Sequence, residues 1–370
     1  MLYLIGIGIN EYDSLSIGSI ELLKHSNITY IDKFTGFLSD EFVTKIKTLL
    51  NITRDSNQEN RIEIKVVKRW FVEDGREILK NSSEKTICVL IYGDPLVATT
   101  YNELVVRASK QSIPYKVIHS SSGITSLIGE SGLHYYKFGK MVTMMSDPMS
   151  SITVYDTIYN NICLGLHTLI LTEYNNDDGN TDLKLNNNGP FFLPPKKVFE
   201  LLLERENELK LLNLSENSFV IVASQIGTDN SKIICGKIKS LLNYQFKSGF
   251  NSIIIPGQLH FTEIDSLQNL TIIFDDPIDN TIKVDRLSNR MLNRYIPNAK
   301  KALANLTTLI KNEKNLSEKE YSVVLENAEN YLFDAEHFYK QGQLELAILS
   351  VGYAEGLIDS IRFQKGMNPW

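Results

Sequence analysis

Cysteine is scarce, with three in 370 residues, at positions 88, 163 and 235. They are odd in number, far apart and set in apolar surroundings, a pattern of buried thiols rather than of disulfides or a metal cluster. Arginine supplies only 10 of the 38 basic residues while asparagine numbers 32, a heat-labile balance that argues against a hyperthermophilic source. Basic charge does not dominate either. Lys and Arg total 38 against 44 Asp and Glu, a net charge of -6, so no global field attracts nucleic acid and any RNA contact would be local. No window approaches 18 uninterrupted apolar residues, so nothing reads as a membrane span. The opening MLYLIGIGIN has no basic stretch before it and no small-residue cleavage site after it. It reads as a strand rather than a secretion signal, and the expectation is a cytoplasmic chain. What is present is ordinary: 43% hydrophobic and 22% charged residues exclude disordered, collagenous and coiled-coil classes, and the length suggests two or three domains.

From residue 1 to about 280, short apolar runs alternate with amphipathic segments, as expected for helices packed on a largely parallel sheet. Strands are expected at Leu2–Ile7, Ile28–Asp32, Thr86–Tyr92, Tyr115–His119, Val142–Met145, Thr168–Thr172, Phe219–Ala223 and Ser252–Ile255. Helices are expected near Ile17–His25, Tyr101–Gln111, Ile124–Gly129, Val154–Leu164, Pro195–Leu212 and Leu259–Leu267. Eight strands exceed one small sheet, so the region divides into two α/β lobes, 1–120 and 121–280. Residues 175–190, rich in Asn, Asp and Gly, read as a surface loop.

Beyond about residue 285 apolar residues recur at helical spacing: Leu292, Tyr295, Ala299, Leu303, Leu306 and Ile310, then Val324, Ala328, Tyr331, Ala335 and Phe338, then Leu344 to Ile361. This predicts a separate three-helix module over 285–370, joined by a linker over Asp275–Asp285. Ser317 with Glu320 has the form of a capping box, and Gly342 stands where a helix hairpin needs a left-handed residue. Arg286, Arg290 and Arg294, followed by Lys300 and Lys301, make a basic stripe. It reads as a solvated face, the alternative being contact with ribosomal RNA or an acidic patch on a protein.

Two glycine motifs close strands. Gly6-Ile7-Gly8 lacks the third glycine of a dinucleotide fingerprint, since position 11 is Glu11, and the acidic candidate on the next strand is Asp32. A nicotinamide site is therefore not expected. Gly93-Asp94-Pro95 follows the most apolar strand and precedes Thr99, Thr100 and Glu103, at a strand end where α/β sheets bind ligands. There Asp94 either holds a ligand ammonium or merely caps the next helix. None of the six histidines has a partner at metal-ligand spacing; His260 and Glu263 are one turn apart with no third ligand. G-x-S-x-G and the phosphate-binding G-x-x-x-x-G-K-[ST] are absent, and Ser120-Ser121-Ser122 reads as a polar loop or a helix cap.

Several ordered segments together resemble the diphthine synthases, within the tetrapyrrole-type methyltransferases: MLYLIGIGIN, YGDPLVATTYNELVVRA from Tyr92, GLHYYKFGK from Gly132, YDTIYNNICLGLHTLILTEY from Tyr155, PPKKVFELLLERE from Pro194 and IIIPGQLHFTE from Ile253. The agreement runs over residues 1–275, with Tyr101 standing where that family usually has histidine. The resemblance implies a two-lobed α/β methyltransferase, a homodimer with S-adenosylmethionine in the cleft between its lobes and S-adenosylhomocysteine as product. The implied substrate is translation elongation factor 2, methylated on the amine of a 3-amino-3-carboxypropyl-histidine to give diphthine; archaeal-type members make the trimethylammonium. Position by position, the implied cofactor residues are Ile9, Asp94, Val97, Gly123, Ile124, Thr172, Ile226 and Asn251. Gly123 stands where serine is usual, Thr172-Glu173-Tyr174 replaces Leu-Asp-Ile, and Asn251 replaces histidine. Backbone contacts would survive these exchanges; the side-chain contact at 251 would change. A sulfonium methyl is already electrophilic, so in-line placement of donor and amine does most of the work, and neither a metal motif nor an activated nucleophile is needed. The tail resembles a small archaeal helical family of uncharacterised function, through Tyr331, Asp334, Ala335, Phe338, Gly342, Ala347, Tyr353, Ala354, Glu355, Gly356, Leu357 and Asp359. The competing readings are a methylase of corrinoid precursors and an adaptor, acting through the tail, that has lost catalysis.

Overall fold

The computed structural model describes residues 1–33, 38–52, 62–175, 191–277, 281–284, 286–312 and 318–370. Residues 1–283 form one compact unit and 284–370 another. The first unit contains two main sheets. One holds β1 (Leu2–Gly6), β2 (Ile28–Asp32), β3 (Glu63–Val67), β4 (Ile87–Ile91) and β5 (Tyr115–Ile118) in the order β3-β2-β4-β1-β5, with every pairing parallel. Side chains alternate across it. Leu2, Leu4, Tyr30, Val89 and Ile91 pack on one face, and Ile5, Ile7, Ile31, Cys88 and Leu90 on the other. That two-sided burial is why the inner strands read as continuous apolar runs.

The second sheet departs from the parallel expectation. It comprises β6 (Val142–Met144), β7 (Thr168–Thr172), β10 (Phe219–Ser224), β11 (Lys232–Lys237), β12 (Asn251–Ile255) and β13 (Ile272–Ile273), in the order β13-β11-β10-β12-β7-β6. Its three central pairings are antiparallel, and only the outer β11–β13 and β6–β7 pairs are parallel. A two-stranded ribbon, β8 (Tyr174–Asn175) with β9 (Phe191–Phe192), lies beside it in sequence. β10 and β11 are joined by a short hairpin connection, which makes antiparallel pairing the direct solution where a parallel one would need a crossover.

In the second unit three helices, Leu287–Asn312, Glu318–Lys340 and Leu344–Lys365, enclose their own core of Leu292, Ala299, Leu306, Ala335, Val351 and Ile358. Gly342 turns the last hairpin at φ +75°, as its position requires. Arg286, Arg290 and Arg294 are exposed, and Lys300 pairs with Glu336 at 2.7 Å. Among the described residues no helix is long and apolar enough to cross a membrane. Of the expected loop at 175–190, Asn175 lies in β8, while residues 176–190 and the cap at Ser317 lie outside the described residues, as do parts of the expected linker.

Candidate active site

The two glycine motifs meet. Gly8 donates its amide to the Gly93 carbonyl at 3.2 Å, and Gly93 returns a bond to Gly8 at 2.9 Å. Both adopt left-handed backbones, φ +68° and +72°, which glycine reaches without steric cost. The carboxyl ends of β1 and β4 are thereby tied into one floor.

Above that floor opens a cavity of about 270 Å³, near the lower end of the ~300–1,000 Å³ usual for small-molecule clefts. The first sheet contributes Tyr92, Gly93, Asp94 and Val97 to Thr99, and the helix Gly123–Glu130 contributes its first turn. The second sheet contributes the carboxyl ends of β7 and β10 and the amino end of β12. These ends coincide because β12 runs antiparallel to both β7 and β10. Asp94, Val97, Gly123, Ile124, Thr172, Ile226 and Asn251 all line the cavity. Ile9 stands behind the wall. Its Cγ2 lies 3.8 Å from where a Gly123 Cβ would be, and its carbonyl accepts from Tyr92 at 3.3 Å.

Asp94 neither caps a helix nor stands unengaged. Oδ1 accepts the Leu96 amide at 2.9 Å; Oδ2 accepts the Ser120 amide at 3.2 Å and His119 Nδ1 at 2.8 Å. The next helix starts only at Tyr101, too far along for capping. The carboxylate, 6% exposed, instead joins the loop after β4 to the loop after β5. Ser122 does cap its helix, accepting the Ile124 amide at 3.3 Å. Asp32, the acidic candidate on the second strand, is buried, accepts from Tyr101 Oη at 2.6 Å and does not line the cavity.

Asn251 is the polar feature of the opposite wall. Its Nδ2 donates to the carbonyls of Lys247 and Gly249 at 3.3 and 2.9 Å, and Thr172 Oγ1 donates to its backbone carbonyl at 2.6 Å. These bonds fix the amide so that Oδ1 is left without a protein donor, in a residue only 3% exposed. A buried carbonyl without a donor costs about 1–3 kcal/mol. A ligand with a suitably placed N–H or O–H would recover it.

Sequence reasoning missed part of this wall. Phe250 packs against Tyr92, Tyr174 and Phe192, with ring centroids 6.4, 4.9 and 5.1 Å away. Burial, followed by the Glu11 charge, pushes the Tyr92 phenol up to about 12, so it stays neutral. Ala98 holds a left-handed backbone at φ +55° in the cavity lining, a strain of about 1–3 kcal/mol that clusters at functional sites. No periodicity marks these residues; only the folded loops bring them together.

Residues 1–242 match the family described as Tetrapyrrole (Corrin/Porphyrin) Methylases. The chain is 32% identical to the diphthine synthase of Methanocaldococcus jannaschii, over 73% of its own length and 98% of that protein's. The chain belongs to the diphthine synthase family. As such it is a methyltransferase. The diphthine methyl ester synthase of Dictyostelium discoideum is likewise 32% identical, over 74% of this chain and 98% of the relative. Among solved structures, one from Entamoeba histolytica, titled provisionally as a diphthine synthase, superposes with a TM-score of 0.62 at 26% identity, covering 74% of this chain and 99% of that one. These diphthine synthase relatives account for the two-sheet unit. Residues 294–367 match a separate family described as a protein of unknown function (DUF357).

Proposed function

We propose that the cavity between the two sheets holds S-adenosylmethionine and that the methyl acceptor is the amine of a 3-amino-3-carboxypropyl group on a histidine of translation elongation factor 2, giving diphthine. The reading is supported by the relatives' names together with one structural observation: seven positions implied as cofactor contacts, spread from residue 94 to residue 251, line a single cavity. The cofactor supplies a sulfonium-bound methyl group as the electrophile. The residues present suit it. Asn251 Oδ1 offers an unmatched acceptor to a hydroxyl or amine of the adenosyl part, and Val97, Ile124 and Leu127 give an apolar stretch of wall. Gly93 and Ala98 present left-handed backbone to the cavity. Fixing donor and acceptor in one site is worth about 7–11 kcal/mol of barrier in favourable cases, ample for a reaction whose electrophile is already activated.

We place the enzyme in the cytoplasm as a homodimer, in keeping with the resemblance. The test is incubation with methyl-labelled S-adenosylmethionine and elongation factor 2 carrying the aminocarboxypropyl-histidine. Label is expected on that residue. A folded enzyme that binds S-adenosylhomocysteine and leaves the factor unlabelled would overturn the substrate assignment.

A further inference from the structure

We propose that His119 is the proton acceptor for the substrate amine, held in its working tautomer by Asp94; this rests on the reading of the acceptor as an amine. An amine attacks a methyl group only through its lone pair, and near neutral pH an aliphatic amine is mostly ammonium. Each methyl transfer therefore requires that one N–H bond break first. The electron pair stays on nitrogen, the proton goes to a base, and after transfer the nitrogen is again positively charged, so a further methyl needs a further proton removed. Among side chains, imidazole is the usual carrier for this task.

The geometry singles out one imidazole. His119 follows β5 and its Nδ1 lies 2.8 Å from Asp94 Oδ2. A carboxylate oxygen held also by the Ser120 amide can only accept, so Nδ1 carries the hydrogen and Nε2 carries the lone pair. Asp94 is 6% exposed and lines the cavity, whereas the His119 side chain is 67% exposed. The ring is thus anchored through Nδ1 to a residue of the cavity wall, while its side chain, itself outside the cavity lining, stays open to solvent. The amine's proton is taken at Nε2, the electron pair staying on the amine nitrogen, and is then passed to water. The same logic of buried carboxylate and oriented imidazole serves other general bases. Among the described residues, Asp94 is the charged group paired with the ring. Its chain neighbours Ile118 and Ser120 and Ile5, which pairs with Ile118, are uncharged, and the preceding strand carries Lys116.

Two variants test this. His119→Gln keeps a donor for Asp94 but has no base; His119→Ala leaves room for added imidazole. At pH 7 both are expected to transfer methyl about 100-fold more slowly, within the range for loss of a general base. KM for the modified factor and the affinity for S-adenosylhomocysteine should change less than threefold. The deficit should shrink as pH rises and solvent deprotonates the amine, and imidazole should partly restore His119→Ala. Independently of turnover, nitrogen-15 NMR of the ligand-free wild type should show that the neutral ring carries its hydrogen on Nδ1 and is bare at Nε2. A protonated Nε2 in the neutral ring, an unchanged pH–rate profile in the variants, or a loss insensitive to both pH and imidazole would overturn the assignment, the last pointing to a structural role. An inactive wild type would overturn the substrate reading and this inference with it; an active wild type with unaltered variants overturns the inference alone.

Discussion

His167 Nε2 lies 2.9 Å from Glu263 Oε1, with both side chains fully buried. His167 Nδ1 accepts the Gly257 amide at 3.0 Å, so Nε2 carries the hydrogen and donates to the carboxylate. Glu263 also accepts the amides of His134 and His260, at 2.8 and 2.7 Å, and the Lys137 ammonium. Segments near 134, 167 and 260 thus converge on one carboxylate, at the end of β7 and β12 opposite the cavity. The KFGK, GLHTL and GQLHFTE stretches that carry much of the family resemblance meet in this architectural hub.

The hub predicts an acid-sensitive two-sheet unit. Burial alone would raise the Glu263 carboxyl, but the bonds from His167, the His260 amide, Lys137 and the His134 amide outweigh it and hold the group well below the usual carboxylate range. Because the folded value is depressed, the stabilisation is complete above the unfolded value of about 4.3 and is lost as pH falls below it. Glu263→Gln should cost about 3–5 kcal/mol at pH 7, the range for breaking a buried ion pair, and should flatten the acid arm of the stability curve. Urea denaturation at pH 7 and pH 4 measures both. A loss under 1 kcal/mol would show that the hub contributes little.

The floor of the cavity predicts a rank order of two glycine substitutions. A Cβ at Gly6 would sit 2.7 Å from the Gly93 carbonyl oxygen and 2.9 Å from both Pro95 Cδ and Ser120 Cβ, so backbone itself must move. A Cβ at Gly93 would meet nothing closer than 3.9 Å, leaving only the left-handed backbone, a cost of about 1–2 kcal/mol. Gly6→Ala should therefore destabilise by roughly 3 kcal/mol or more, at the upper end of overpacking costs, and distort the cavity. Thermal melts that place Gly93→Ala below Gly6→Ala would contradict this account of the floor.

Where burial was two-sided, the sequence was readable. β4 and the bodies of β1 and β2, up to Gly6 and Asp32, are apolar or β-branched runs because both faces of the parallel sheet are covered. β3, EIKVV, was missed because it is a half-exposed edge strand whose charges fit no apolar run. β11, KIICGK, was missed because lysines bound it and a glycine interrupts it, although Ile233 to Gly236 are buried. Antiparallel pairing in the second sheet depends on which segments lie side by side, a non-local property that period-two patterning does not encode. The family resemblance pointed to seven of the cavity-lining positions; the aromatic wall at Phe250, the His119–Asp94 pair and the Glu263 hub exist only once distant loops meet.

The thiols should differ in reactivity. Burial pushes Cys88 up to about 12, despite a bond involving Ser26, and Cys235 up to about 11, despite Thr271. At pH 8 the reactive thiolate of Cys88 is on the order of one in ten thousand molecules. Cys163, expected to be buried like the others, is instead only half-buried, at the end of the helix Pro148–Ile162. Iodoacetamide on the native protein should modify Cys163 first, with Cys88 and Cys235 labelled only after denaturation. Peptide mapping that finds Cys88 labelled as fast as Cys163 would mean the first sheet opens far more readily than its packing implies.

Asn251 should set cofactor affinity through one atom. Its Oδ1 is a buried acceptor without a protein donor in the cavity wall, held there by the two bonds from Nδ2 and by Thr172 at the adjoining strand end. Asn251→Ala removes that acceptor, so affinity for S-adenosylhomocysteine should fall about tenfold, the equivalent of one hydrogen bond of ~1–1.5 kcal/mol. The same change strips donors from the Lys247 and Gly249 carbonyls and should lower the melting temperature as well, so affinity must be read by titration calorimetry well below the transition. Asn251→His, which installs the residue usual in the diphthine synthases, discriminates the two effects: it should bring affinity back to within a few-fold while leaving the Gly249 turn weakened. Equal affinity in wild type and Asn251→Ala would mean that Oδ1 faces no ligand atom, and its isolation would then be a cost carried by the fold alone.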